Sequence, residues 1–171
     1  MKSFIKILLF TSVLSLSASA QQTTFQDSLL DHLVGTWVLR GTIEGKETTH
    51  DLIIAWVLQH QYVQVQETSR EKNASGKAEY EAIVYIGWDQ SAKQYACLWL
   101  DVTGGGGLSA QAIGHGERNG DKIPFLFKGG DGSTFYTTFL FDKSADSWQW
   151  TMDGEENGKL QSFARVKLTR K

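Results

Sequence analysis

From residue 36 onward the apolar residues of this chain tend to recur at every second position, and short clusters of turn formers separate the segments that carry the pattern. A period of two belongs to β-strands that bury one face and expose the other. Trp148, Trp150 and Met152 oppose Gln149, Thr151 and Asp153; Phe135, Phe139 and Phe141 share a face; Ala164, Val166 and Leu168 oppose Arg165, Lys167 and Thr169. Strands are expected at about 36–43, 49–60, 62–70, 79–88, 94–103, 108–117, 122–128, 134–141, 147–152 and 160–169. The connections include Glu44-Gly45-Lys46, Asn73-Ala74-Ser75-Gly76, Arg118-Asn119-Gly120-Asp121 and Asn157-Gly158, all rich in residues that tolerate a left-handed backbone. With 17 Gly but a single Pro in 171 residues, the chain has many places to turn and almost none where a strand is forced to break.

About ten antiparallel strands joined by short turns indicate a barrel or sandwich rather than an α/β fold. A meander with one apolar face hides that face, and loses its exposed edges, by closing on itself. The expected fold is therefore all-β, an up-and-down barrel. It is preceded by one short helix, since Phe25, Leu29, Leu30, Leu33 and Val34 recur at spacings near three and four before Gly35, which is placed to end the helix. No internal repeat or linker divides residues 21–171, so they form a single domain.

The first twenty residues read differently. Lys2 and Lys6 precede an apolar stretch from Ile7 to Leu16, and Ala18-Ser19-Ala20 supplies the small-x-small pattern of a cleavage site. Residues 1–20 are expected to be a signal peptide, and the protein to be exported, periplasmic or secreted after cleavage near Ala20, with no stable membrane insertion afterwards. The remaining 15 basic and 19 acidic residues form no basic stripe, so nucleic acid is not an expected partner. The lone Cys97 sits in the apolar run Tyr95-Ala96-Cys97-Leu98-Trp99-Leu100, where it reads as a small core residue.

The string Leu33-Val34-Gly35-Thr36-Trp37, following a helix at the head of such a strand run, resembles the Gly-x-Trp opening of calycin-type barrels, which include lipocalins and fatty-acid-binding proteins. More narrowly, residues 25–170 resemble the DUF1579 family of lipocalin-like bacterial proteins of unassigned function, through Gly35-Thr36-Trp37, Ile86-Gly87-Trp88-Asp89, Tyr95, Trp99-Leu100-Asp101 and the closing Ala164-Arg165-Val166-Lys167-Leu168-Thr169-Arg170. The resemblance implies a basic residue of the last strand packed across Trp37, with Arg165 the first candidate and Lys167 and Arg170 behind it. Trp37 and Arg165 are thus expected to close the barrel and to have no part in binding.

Chemistry is sparse. His32, His50, His60 and His115 show no metal-site spacing; on one extended strand His50 and His60 would stand about 33 Å apart. There is no Gly-x-Ser-x-Gly elbow, and Gly104-Gly105-Gly106-Gly107 lacks the Lys-Ser/Thr of a phosphate loop and reads as a turn or gate. Asp89 and Asp101, on neighbouring strands, read as turn residues unless buried together. No catalytic residue, metal or cofactor is expected, and an enzymatic role is less favoured than binding. What remains is aromatic: Trp56, Trp99, Phe139 and Trp150 are mid-strand rings that either fill the barrel or line a pocket for a small hydrophobic or amphipathic ligand. His115, bare-flanked by Gly114 and Gly116, is the one candidate axial ligand or base. Two alternatives stand beside ligand binding: a haem-binding barrel like nitrobindin, and an envelope interaction module using the exterior. The oligomeric state is not encoded in any recognisable pattern.

Overall fold

The computed structural model describes residues 25–104, 107–156 and 158–171, so the expected signal peptide lies outside the described residues. Ten strands are present: β1 Gly35–Ile43, β2 Lys46–Val57, β3 Tyr62–Ser69, β4 Glu81–Asp89, β5 Gln94–Asp101, β6 Ile113–Gly116, β7 Lys122–Lys128, β8 Thr134–Asp142, β9 Ser147–Glu156 and β10 Lys159–Arg170. Each pairs antiparallel with its neighbours in sequence, and β1 pairs with β10 to close the barrel. Among the described residues no helix is long and apolar enough to cross a membrane.

Turn chemistry sets most strand boundaries. Glu44 and Gly45 both take positive φ, 51° and 75°, giving the two-residue turn whose twist matches a hairpin and lets Ile43 pair with Lys46. Strand β2 therefore starts earlier than its pattern indicated. It also ends at Val57, because Leu58, Gln59 and His60 are three successive residues with positive φ and leave the extended region. The strand expected over 108–117 is reduced to the four residues of β6, preceded by a 3₁₀ turn at Ala110–Ala112. Only His115 and Leu126 pair across to β7. Two residues along the same register, Pro124 falls opposite Glu117; proline has no N–H to give to a ladder, and the pairing stops there.

The helix, α1, covers only Ser28–Leu33. Its N-cap is Asp27, whose carboxylate accepts from Leu29 N at 2.8 Å and Leu30 N at 3.0 Å. Gly35 is not its cap, since Val34 ends it in extended geometry. Gly35 already belongs to β1, where its φ of 140° and a gap too small for a Cβ (2.2 Å from Arg170 Nη1) require glycine. Six residues are too few to be helical in isolation. The element persists because Leu29, Leu30 and Leu33 are buried in one barrel end, at roughly 1.5–3 kcal/mol per side chain.

That end is sealed by polar contacts as well. Trp37 Nε1 donates to Leu33 O at 2.7 Å, and the guanidinium of Arg170 lies 3.8 Å above the Trp37 ring while donating to Val34 O at 2.7 Å and His32 O at 3.0 Å. The expected partner, Arg165, is elsewhere. It binds Met152 O at 2.9 Å and the Asp153 carboxylate on the outer surface. Parity explains the correction. Ala164, Val166 and Leu168 face inward, Arg170 continues that row and pairs in register with Trp37, whereas Arg165 has the opposite parity and pairs with Thr42.

Candidate functional site

The opposite end of the barrel is open. The carboxyl ends of β1, β3, β5, β7 and β9 meet the amino ends of β2, β8 and β10 around a cavity of about 620 Å³. Apolar walls come from Ile43, Trp99, Phe127, Phe135, Met152 and Phe163. Phe163 is there because of a register shift in β10 between Ser162 and Ala164, a bulge that turns an extra side chain inward, where its ring meets Phe135 edge-on at 5.3 Å.

One wall is polar. On β3 the inward row reads Val63, Val65, Glu67, Ser69, and on β2 it reads His50, Leu52, Ile54, so two ionisable side chains share the interior with aliphatic ones. Glu67 Oε1 forms a short hydrogen bond with His50 Nδ1, the two side chains being 2% and 4% exposed. His50 Nε2 lies 2.8 Å from Thr48 Oγ1, which also donates to Glu71 Oε2 at 3.1 Å. Tyr80 stacks over His50 with 5.7 Å between centroids. Its hydroxyl donates to Asp101 Oδ2 at 3.3 Å, and Trp99 Nε1 donates to that oxygen at 3.2 Å and to Tyr80 Oη at 3.1 Å.

Burial, followed by the nearby carboxylates of Glu67 and Asp101, pushes the Tyr80 hydroxyl well above the ordinary tyrosine range, so it stays a donor. At Glu71 burial opposes ionisation, but hydrogen bonds from its own backbone, from Thr49 N and from the Thr48 hydroxyl outweigh it and hold the carboxyl below its ordinary value. Thr48, His50 and Glu67 stand in the order of a nucleophile, a base and an orienting acid. Thr48 has one hydroxyl proton, however, and Glu71 competes with His50 for it. The cluster is therefore better suited to holding a polar group than to activating a nucleophile. Among the described residues no group of three or more His, Cys, Asp or Glu is placed to hold a metal ion.

The sequence-derived residues divide. Trp99 lines the cavity. Trp150 and Phe139 do not line it but pack behind Trp99: Trp150 stacks on Phe139 at 4.4 Å, tilts against Trp99 at 5.5 Å, and donates to Thr137 Oγ1 at 2.6 Å. These two are core. Trp56 belongs to the sealed end, where it donates to Asp31 of α1 at 2.8 Å and stacks on His60 at 4.3 Å.

His115 points outward, 41% exposed and 3.6 Å from Asp89. Its glycine neighbours are not openings, since a Cβ on Gly114 would meet the Phe127 ring at 2.5 Å and one on Gly116 the Pro124 carbonyl at 1.6 Å. The haem alternative does not fit this geometry. His115 lies outside the barrel, and both ring nitrogens of His50 are within hydrogen-bonding distance of partners.

Asp89 and Asp101 stand at opposite ends of the barrel, about 23 Å apart by strand rise, so they form no pair. The Ser91 hydroxyl and the amides of Ala92 and Ser91 hold Asp89 at about 2. Gly104 and Gly107 reach the cavity rim, with the two glycines between them outside the described residues.

Sequence reasoning missed His50, Glu67, Tyr80 and Phe163. Glu67 was detectable as a carboxylate on the inward parity of a strand. Tyr80 and Phe163 were not, since one lies just before a strand and the other at a bulge. No family model matches the chain, and no curated protein matches it.

Proposed function

We propose that this protein is an exported, lipocalin-like carrier that holds one small amphipathic molecule in the open-end cavity by non-covalent contacts. The observation that carries the reading is the asymmetry of the barrel. One end is plugged by α1 and the Trp37–Arg170 pair, and the other keeps about 620 Å³ free, within the range of roughly 300–1,000 Å³ typical of small-molecule sites. A barrel needing only stability would have filled that space, since voids in a core cost free energy.

The calycin likeness is supported by a tryptophan directly after a short helix, crossed by an arginine of the last strand. It joins the DUF1579 resemblance and the signal-peptide reading as parts of this proposal. Native mass spectrometry of protein purified from its own host should reveal a co-purifying small molecule, displaced by the neutral dye N-phenylnaphthylamine with a rise in dye fluorescence. A protein that carries no extra mass and leaves the dye dark overturns the reading.

A further inference from the structure

We infer that the cavity selects an amphiphile whose polar end is a hydrogen-bond-donating cation, an ammonium or amidinium group on an apolar body, seated against Glu67. This rests on the carrier reading above and adds the chemistry of the ligand.

The first observation is charge. The lining carries six carboxylates, from Glu44, Glu47, Glu67, Glu71, Glu79 and Asp101, against one lysine, Lys46; an imidazolium at His50 would still leave a clear negative excess. A concave site with apolar walls focuses such a field and concentrates cations at its mouth. Acidic rims are common on soluble surfaces, so this observation alone would not define a site.

The second observation is independent and lies inside the wall. Glu67 Oε2 is buried and has no hydrogen-bond partner among the described residues, while Oε1 is held by His50. An ionised carboxylate is acceptor-only, and when buried it calls for donors at both oxygens. The neighbouring acids do not share this deficit. Asp101 accepts from Tyr80, Trp99 and Thr103, and Glu71 accepts from Thr48 and Thr49. The unmet demand in this wall thus sits at one atom, which the N–H or O–H of a ligand would meet.

The third observation concerns what surrounds that head group. Tyr80, Trp99, Phe127, Phe135 and Phe163 line the same space, and aromatic faces attract cations. A carboxylate-headed amphiphile would instead bring a second negative charge to Glu67 in a medium that screens it poorly.

The test uses the full chain and four probes with one tail: octylamine, octyltrimethylammonium, octanol and octanoate, each competing with N-phenylnaphthylamine. Octylamine should bind about tenfold or more tighter than octanoate and tighter than octyltrimethylammonium, which has charge but no donor. Glu67→Gln keeps an acceptor for His50 and should bring octylamine down to about the level of octanol. Octanoate binding as well as octylamine overturns the inference, and so does an amine preference that survives Glu67→Gln. If the variant does not fold, the ranking of the four probes on the unaltered protein decides the matter by itself. Uptake of dye and octanol without an amine preference sinks the inference while sparing the carrier reading; failure to take up the dye or any probe sinks both.

Discussion

The two ends of this barrel are built from similar residues and come to opposite conditions. Both are rich in aromatic rings and both contain a buried carboxylate hydrogen-bonded to an aromatic partner: Asp27 with Tyr95 at the sealed end, Glu67 with His50 at the open one. The difference lies in completion. Asp27 caps α1, accepts from Tyr95 and is approached by Arg118 Nη1 at 3.4 Å, so both oxygens are used. Glu67 keeps one oxygen without a partner. Around Asp27 the rings of Phe25, Trp56, Trp88 and Tyr95 pack on one another with centroids 5.3–6.1 Å apart, whereas at the open end Trp99, Phe127 and Phe163 border empty space. The satisfied, packed carboxylate belongs to structure, and the unsatisfied one beside the cavity is the feature on which the proposed binding rests.

The largest expected effect tests whether stability is concentrated at the sealed end. Trp37→Ala removes a fully buried ring that anchors both α1 and Arg170, and should destabilise by about 3–5 kcal/mol. Phe135→Ala, on a half-buried ring at the cavity, should lose well under half as much. Chemical denaturation of the two variants measures the gap, and equal losses would erase the distinction between the ends. Next in size, Asp27→Ala deprives α1 of its cap and Tyr95 of its acceptor, with an expected loss of about 2 kcal/mol and little change in dye affinity at the far end. A matching fall in dye affinity would show that the two ends are coupled.

Smaller still is the contrast along β10. Arg170→Ala should cost about 1–2 kcal/mol through the lost cation–π contact and two carbonyl hydrogen bonds, while Arg165→Ala, on the outer face, should cost less than about 1 kcal/mol. Reversal of that order in thermal melts would restore Arg165 as the closing residue.

The smallest effect is on pH. Burial, with neighbouring carboxylates, raises Tyr80, and burial, with Asp27, raises Tyr95 above the unfolded value of 10.0. The folded state therefore resists losing these protons, and the stability linked to them is whole below 10.0 and declines as the pH rises further. Denaturation midpoints should fall above that pH, less steeply in Tyr95→Phe and in Tyr80→Phe. A midpoint that is flat through this range contradicts the assigned burial of both hydroxyls.

Much of this was legible in the chain. Alternation in Trp148-Gln149-Trp150-Thr151-Met152 and Ala164-Arg165-Val166-Lys167-Leu168 identifies the inner and outer faces without reference to any neighbour, because side chains alternate along a strand whatever it pairs with. The same rule, carried one step further, puts Arg170 rather than Arg165 on the face of Trp37, so that correction needed only parity. The brevity of β6 was less accessible. Its glycines look strand-compatible in isolation, and the ring and carbonyl that fill their flanks come from β7.

The candidate site divides along the same line. Which residues face inward is a local property, and it marks His50, Glu67 and Trp99 as interior. Whether an inward residue is core, plug or cavity wall depends on how far along the barrel axis it sits and what the opposite strands place there. Trp56, Trp99 and Trp150 are alike in sequence, yet one seals, one lines and one supports. The chain by itself determined most of the strands, their inner and outer faces and the closure of the sheet into a barrel, since these follow from periodicity and turn chemistry. Only the tertiary structure decided that α1 fills one end and leaves the other open, because a void exists where strands distant in sequence fail to supply side chains to the same space.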